Sequence, residues 1–241
     1  MNSFGTLLSG ELQRMKKYNI LTVSFLVALI WIGVLYFVDI EDITSVVPLL
    51  VFIDATSMSM LMVGATMFYE KQEGTIKTLL VSPISKSEYI LAKAFANITS
   101  NIITIILIYG YARIFKEINL NFFGLLGSVI LIAFFHSLVG FIFTYNTKDF
   151  TEMLMGMMKY IFIFAIPVLL EQMGLIKNKT IDKILYIIPT KSSSILLKST
   201  AGGLESWKIW FSLIYLVIAS ILLFFIVWKK FDDFAIKESG E

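Results

Sequence analysis

Residues 20–38 run from Ile20 to Val38 without one charged side chain. As a helix such a run advances 1.5 Å per residue and crosses a hydrocarbon core of about 30 Å. Five further runs follow at 46–68, 94–112, 120–145, 155–173 and 207–228. The second holds one charge, Asp54, and the fourth is interrupted only by His136. The fifth carries Lys159, Pro167 and Glu171, and the last has tryptophans at both ends, the placement of a membrane-interface belt. Six spans make this an all-α integral membrane protein, read as one transmembrane domain over 1–241.

Composition excludes the main alternatives. Only 16% of the 241 residues are charged and 57% are hydrophobic, whereas a soluble domain carries about a quarter charged residues. A soluble cofactor enzyme, a nucleic-acid binder and a disordered regulator are therefore set aside, and a net charge of +2 gives no reason to expect a polyanion partner. The absence of cysteine rules out a disulfide framework, a thiolate metal site and a cysteine nucleophile.

Arg14, Lys16 and Lys17 precede the first run, and Asp39, Glu41 and Asp42 follow it. The positive-inside rule then places both termini in the cytoplasm of a multi-pass plasma-membrane protein, with Lys229 and Lys230 in agreement. The first run is too long for a cleavable signal and is expected to remain as a span. Lys177, Lys179, Lys183, Lys191 and Lys198 crowd the outer segment 174–206 and run against the rule; their ammonium groups are expected to face external water or lipid headgroups. Isoleucine- and lysine-rich usage suggests a bacterium with an A+T-rich genome.

The extramembrane pieces carry more information. In 1–18, Phe4, Leu7, Leu8, Leu12 and Met15 recur at helical spacing with charges elsewhere on the wheel, the pattern of an amphipathic helix on the membrane surface. The cytosolic loop 69–93 is predicted to hold two short helices. Ile76, Leu79 and Leu80 share one face of the first, which Ser82 and Pro83 end, and Ser85 with Glu88 forms a capping box opening the second. The apolar ridge of the first needs a cover, and a second protein is the natural candidate.

At this loop the chain resembles the membrane subunits, or permeases, of type-2 ATP-binding cassette exporters. The resembling residues are Glu70, Glu73, Gly74, Thr75, Leu79, Leu80, Ser82 and Pro83, with Lys93 at the base of the third span. The resemblance implies that 73–83, with Ile76, is a coupling helix docking on an ATPase subunit. It also implies a complex of two ATPase copies and a second permease chain, identical or homologous. The sequence has no G-x-x-x-x-G-K-[ST] phosphate loop. ATP and Mg are thus expected on the partner, with no cofactor on this chain. The segment 174–206 is expected to be an external helical hairpin, broken at Pro189, that lids the route.

Within the spans, Asp54, Ser57, Met58 and Met62 of the second and Met155, Met158 and Phe162 of the fifth are candidate pathway residues. Asp54 suits a cationic substrate group, or equally a headgroup or a neighbouring helix; flexible methionines suit varied apolar cargo. Glu171 is expected to reach outer water, and His136, the only histidine, to bond a neighbouring helix. The leading function is export of an amphipathic or hydrophobic compound such as a drug, antimicrobial peptide or lipid-like molecule. A proton-coupled secondary carrier using Asp54, Glu171 or His136 is the alternative.

Overall fold

The structure, a computed structural model, describes residues 3–38, 42–80 and 82–239. Asp39 and Glu41 lie outside the described residues, and of the side chains of Leu79 and Leu80 nothing is described. The described residues form helices and connecting turns, with no strand among them. In chain order the helices are α1 (Ser3–Lys17), α2 (Ile20–Phe37), α3 (Ile43–Gln72), α4 (Thr75–Leu80), α5 (Lys86–Phe115) and α6 (Phe122–Asn146). Then come α7 (Phe150–Tyr160), a π-helical segment (Ile161–Ala165), α8 (Ile166–Gln172), α9 (Lys179–Leu185), α10 (Pro189–Lys198) and α11 (Ser206–Ser239). Among the described residues six stretches are long and apolar enough to cross a membrane: α2, α3, α5, α6, the α7–α8 run and α11.

Local chemistry sets several boundaries. Asp42 caps α3 by accepting from the Ser45 amide at 3.2 Å, and Asn121 caps α6 by accepting from the Gly124 amide at 3.0 Å. The Ser85–Glu88 capping box is present, but it starts α5 itself and not a separate short helix. The third span and the second half of the predicted loop are one continuous helix. At the other side of the loop α3 runs on to Gln72, and Gly74, at φ 67°, makes the left-handed turn into α4 that a side chain would strain.

Packing is centred on α3, α5 and α6. The backbone of α6 comes so close to α3 at Gly140 that a Cβ there would meet the Met60 carbonyl oxygen at 2.8 Å. Asn97 on α5 ties the three together, donating to the Ser59 carbonyl at 3.0 Å and the Ser137 hydroxyl at 2.6 Å. Buried in this way, it has no access for the glycan its Asn-x-Thr triplet would accept. α2, the α7–α8 run and α11 stand at the periphery, with apolar faces such as Phe25, Leu26, Ile30, Trp210, Ile218 and Phe225 exposed. Such faces suit lipid.

The two ends of the bundle differ. At one, α1 and α4 lie against the starts of α5 and the end of α11. At the other, α10 is inserted among α3, α6, α8 and α11 although its sequence is mostly polar. Nearly every residue of α10 is buried, including Thr190, Ser192 and Ser193. Thr190 donates to the carbonyl of Phe164 in the π segment, and Ser194 donates to Gln172 Oε1 at 2.6 Å. The expectation that Lys191 faces water is corrected: it is buried, and its ammonium bridges Glu171 at 2.6 Å and Asp182 at 2.8 Å. Glu171 accordingly reaches a cation of its own chain.

Candidate functional site

A buried ionic cluster joins three helices directly beside α4. Glu70, near the end of α3, is 1% exposed and Lys93, two turns into α5, is 2% exposed. Lys93 Nζ lies 3.0 Å from Glu70 Oε1 and 2.8 Å from Glu11 Oε2 on α1. Arg14 bridges the same two carboxylates, with its Nη1 2.8 Å from Glu11 Oε1 and in contact with Glu70 Oε1. Tyr89 donates to Glu70 Oε2 at 2.6 Å, so both oxygens of Glu70 are occupied. Burial alone would lower the Arg14 pKa, but Glu70 and Glu11 more than offset it and raise the value, keeping the guanidinium charged.

The cluster is continuous with the entry to α4. Thr75 Oγ1 donates to the Glu70 carbonyl at 3.2 Å, across the Gly74 turn. Glu73 accepts from Lys17 Nζ at 2.7 Å and from the Tyr18 hydroxyl at 2.5 Å, and Tyr18 stacks on Tyr69 with ring centroids 4.4 Å apart. Those two hydrogen bonds hold the Glu73 carboxyl below its ordinary range, while partial burial and Glu73 push the Tyr18 hydroxyl up. A cleft of about 550 Å³ opens between α1 and α4, lined by Thr6, Leu7, Arg14, Thr75, Thr78 and Ser82 among others.

Ile76 is not part of a ridge awaiting a partner. It is 1% exposed and packs into a cluster of Met67, Tyr89, Phe231 and Phe234, so this chain's own α5 and α11 cover it. Glu70 is likewise turned inward, and among the described side chains of the segment Glu73, Thr78 and Pro83 are exposed. In the sequence Arg14, Lys17 and Lys93 mark topology or the base of a span, and Glu11 is one of several charges on α1. One signal was available: Glu11 stands three residues from Leu8 and four from Leu7 and Met15, in the middle of the apolar stripe.

The proposed pathway residues do not form one constellation within the chain. Met58 and Met62 pack with Met15, Ile20 and Ala96 against α1, α2 and α5. Ser57 is half-buried beside them in sequence, and Asp54 is buried with its carboxylate accepting from Trp31 Nε1 at 3.2 Å. Met155, Met158 and Phe162 lie on the other side, on an exposed face of the fifth span, while Met153 and Met157 face α3 through Met60. His136 on α6 uses Nδ1 toward the Ile132 carbonyl at 2.9 Å, which leaves Nε2 to face the Tyr160 hydroxyl at 3.4 Å. Both ring nitrogens of the sole histidine are therefore engaged between α6 and α7.

Comparison with known proteins agrees with this architecture along the chain. The fluoroquinolones export permease protein family matches residues 2–239. Fluoroquinolones export permease proteins of two Mycobacterium tuberculosis strains, CDC 1551 / Oshkosh and ATCC 25618 / H37Rv, are each 23% identical over 232 residues, covering 95% of this chain and 95% of theirs. A multi-pass membrane protein with six apolar spanning helices and a family match over nearly its whole length, the chain belongs to the fluoroquinolones export permease protein family.

Proposed function

We propose that the chain is the membrane-spanning subunit of an ATP-driven drug exporter in a bacterial plasma membrane, with both termini cytoplasmic. A separate cytosolic ATP-binding subunit docks on α4 through the exposed part of the Glu73 to Pro83 segment and the adjoining α1–α4 cleft. Two ATPase copies, holding ATP and Mg, and a second permease chain complete the complex. The relatives named for fluoroquinolone export make a drug of that amphipathic kind the leading cargo.

The observation that carries this reading is the attachment of α4. A six-residue helix at the end of a bundle would fray if it were only a surface turn. Here Ile76 is seated between α5 and α11, Gly74 joins α4 to α3, and the Glu70 cluster binds α3 to α1 and α5. A push on α4 is thereby delivered to four other helices, the mechanical property that a coupling element needs. A self-powered carrier is less well supported, because Glu171 is held by Lys191 and both nitrogens of His136 are engaged, which leaves it Asp54 alone of its three proton sites.

The test is co-expression with candidate ATPase chains followed by reconstitution. The expected result is a stable complex and ATP-dependent efflux of a fluoroquinolone such as norfloxacin, with both lost on replacing Leu79 and Leu80 by Asp. Intact complex formation and efflux in that variant would overturn the docking assignment.

A further inference from the structure

Asp54 lies about 17 Å along α3 from its Ile43 end and about 27 Å from its Gln72 end, within the middle of the span. It is 6% exposed, and among the described residues its carboxylate accepts one hydrogen bond, from Trp31. No ion pair among the described residues includes it. An ionised carboxylate offers about four acceptor positions, and in hydrocarbon an unpaired one is costly. Glu70, on the same helix, shows what a settled carboxylate looks like in this protein, with two cations and a hydroxyl on it.

A second orphaned acceptor lies on α5, facing a different side of α3. Asn101 on α5 is 4% exposed; its Nδ2 donates to Ser59 Oγ at 3.2 Å, but its buried Oδ1 has no partner. Ser59 is about 8 Å along α3 from Asp54. Asp54 sits under α2, whose inward stripe is Ser24, Ala28, Trp31 and Leu35, and Ser24 accepts from Ser100 at 2.8 Å. The opposite face of α2 is bare, with Leu26 and Ile30 exposed. One thinly packed helix thus closes over a mid-membrane site rich in acceptors and poor in donors, and an indole forms the closure.

We propose that Asp54 and Trp31 mark a subsite for amphipathic organic cations, in which a ligand's ammonium group displaces the indole N–H from Asp54 and lies against the Trp31 ring. The ligand enters from the α2 side as Trp31 turns outward. Carboxylate attraction and cation–π contact both select charge, and the surrounding apolar helices accept the body. The inference rests on the export reading only in taking the bound cation to be cargo.

The test uses the full chain in nanodiscs and two probes that differ by one charge, monodansylcadaverine and its N-acetyl derivative. The parent chain is expected to bind the ammonium probe about tenfold or more tightly than the acetylated one. Asp54→Asn keeps an acceptor for Trp31 and removes the charge, and is expected to erase that preference while leaving the acetylated probe's affinity unchanged. A preference absent from the parent chain, or surviving in Asp54→Asn, overturns the proposal. Should Asp54→Asn fail to fold, a chain with Trp207, Trp210 and Trp228 replaced by Phe leaves Trp31 as sole donor. Energy transfer from Trp31 to the ammonium probe alone supports the site, and its absence overturns it. Neither ATP nor a partner is needed, so failure of ATP-driven efflux leaves the binding result intact and the two readings fail separately.

Discussion

Replacing Lys93 by Met removes one of two cations that share two buried carboxylates, Glu11 and Glu70. At 2.8 and 3.0 Å, with an effective dielectric of about 20, each of its contacts contributes about 6 kcal/mol of gross attraction. Desolvating the ions offsets much of this, so the net value of the intact cluster is small. The variant is different, because it leaves surplus negative charge buried with only Arg14 beside it. Loss of one member of a buried pair costs about 3–5 kcal/mol. Arg14 has a side chain 35% exposed, so water can replace it in part, and Arg14→Gln is expected to cost less than Lys93→Met. Adding Glu70→Gln to Lys93→Met restores neutrality and should recover about 1–2 kcal/mol. Reversible unfolding of the purified chain by SDS titration in mixed micelles measures all four proteins. A loss below about 1 kcal/mol for Lys93→Met, the range of an exposed ion pair, or a double variant no more stable than the single, would refute the reasoning.

Three further outcomes follow from the geometry. Gly140→Ala places a Cβ 2.8 Å from the Met60 carbonyl oxygen and should destabilise the α3–α6 contact by about 1–3 kcal/mol, whereas Gly127→Ala, with nothing within 4 Å, should leave thermal unfolding unchanged. The Glu73 carboxyl is held below its ordinary value by Lys17 and Tyr18, so its tie to the α1 end is complete above that ordinary value of 4.5 and is lost as pH falls through the depressed one. Carboxyl NMR of labelled Glu73 should show the depressed titration, and Lys17→Gln with Tyr18→Phe should move it upward. Lys191→Met should free Glu171 and Asp182 and speed hydrogen exchange across α9 and α10, while Lys191→Arg should retain protection.

The six spans were legible because a charge-free run of membrane length has few other uses, and the capping box at Ser85 because it depends on near neighbours. Contacts between distant residues were not. Lys93 meets Glu70 and Glu11 only after α1, α3 and α5 are laid together, and in the sequence each is simply a charge near the end of an apolar run. The ridge containing Ile76 has an unambiguous period but two possible covers, this bundle or a partner, and periodicity does not choose between them. Lys191 misled for a related reason. Its lysine-rich setting suggests water, yet Glu171 and Asp182 come from two other helices and make burial tolerable. The methionines of the second span divide between opposite faces, with Met60 toward α7 and Met58 and Met62 toward α1 and α2. An apolar helix wholly surrounded by protein and lipid carries little pattern to reveal such a split.

The π segment Ile161–Ala165, followed by Pro167 and held at Phe164 by the Thr190 hydroxyl, sets the phase of the fifth span. A π turn spends one residue more than an α turn, and one residue of helix corresponds to about 100° of rotation. The half of the span carrying Met153 and Met157 is therefore turned by about that angle from where an unbroken α-helix continued from Gln172 would put it. On this span Val168 and Met157 are buried while Met155 and Met158 are exposed. Deleting one residue between 161 and 165 would restore the regular winding yet keep the two halves in their present phase, with Met153 and Met157 still toward α3, so the irregular turn acts as the angular index between the two ends of the helix.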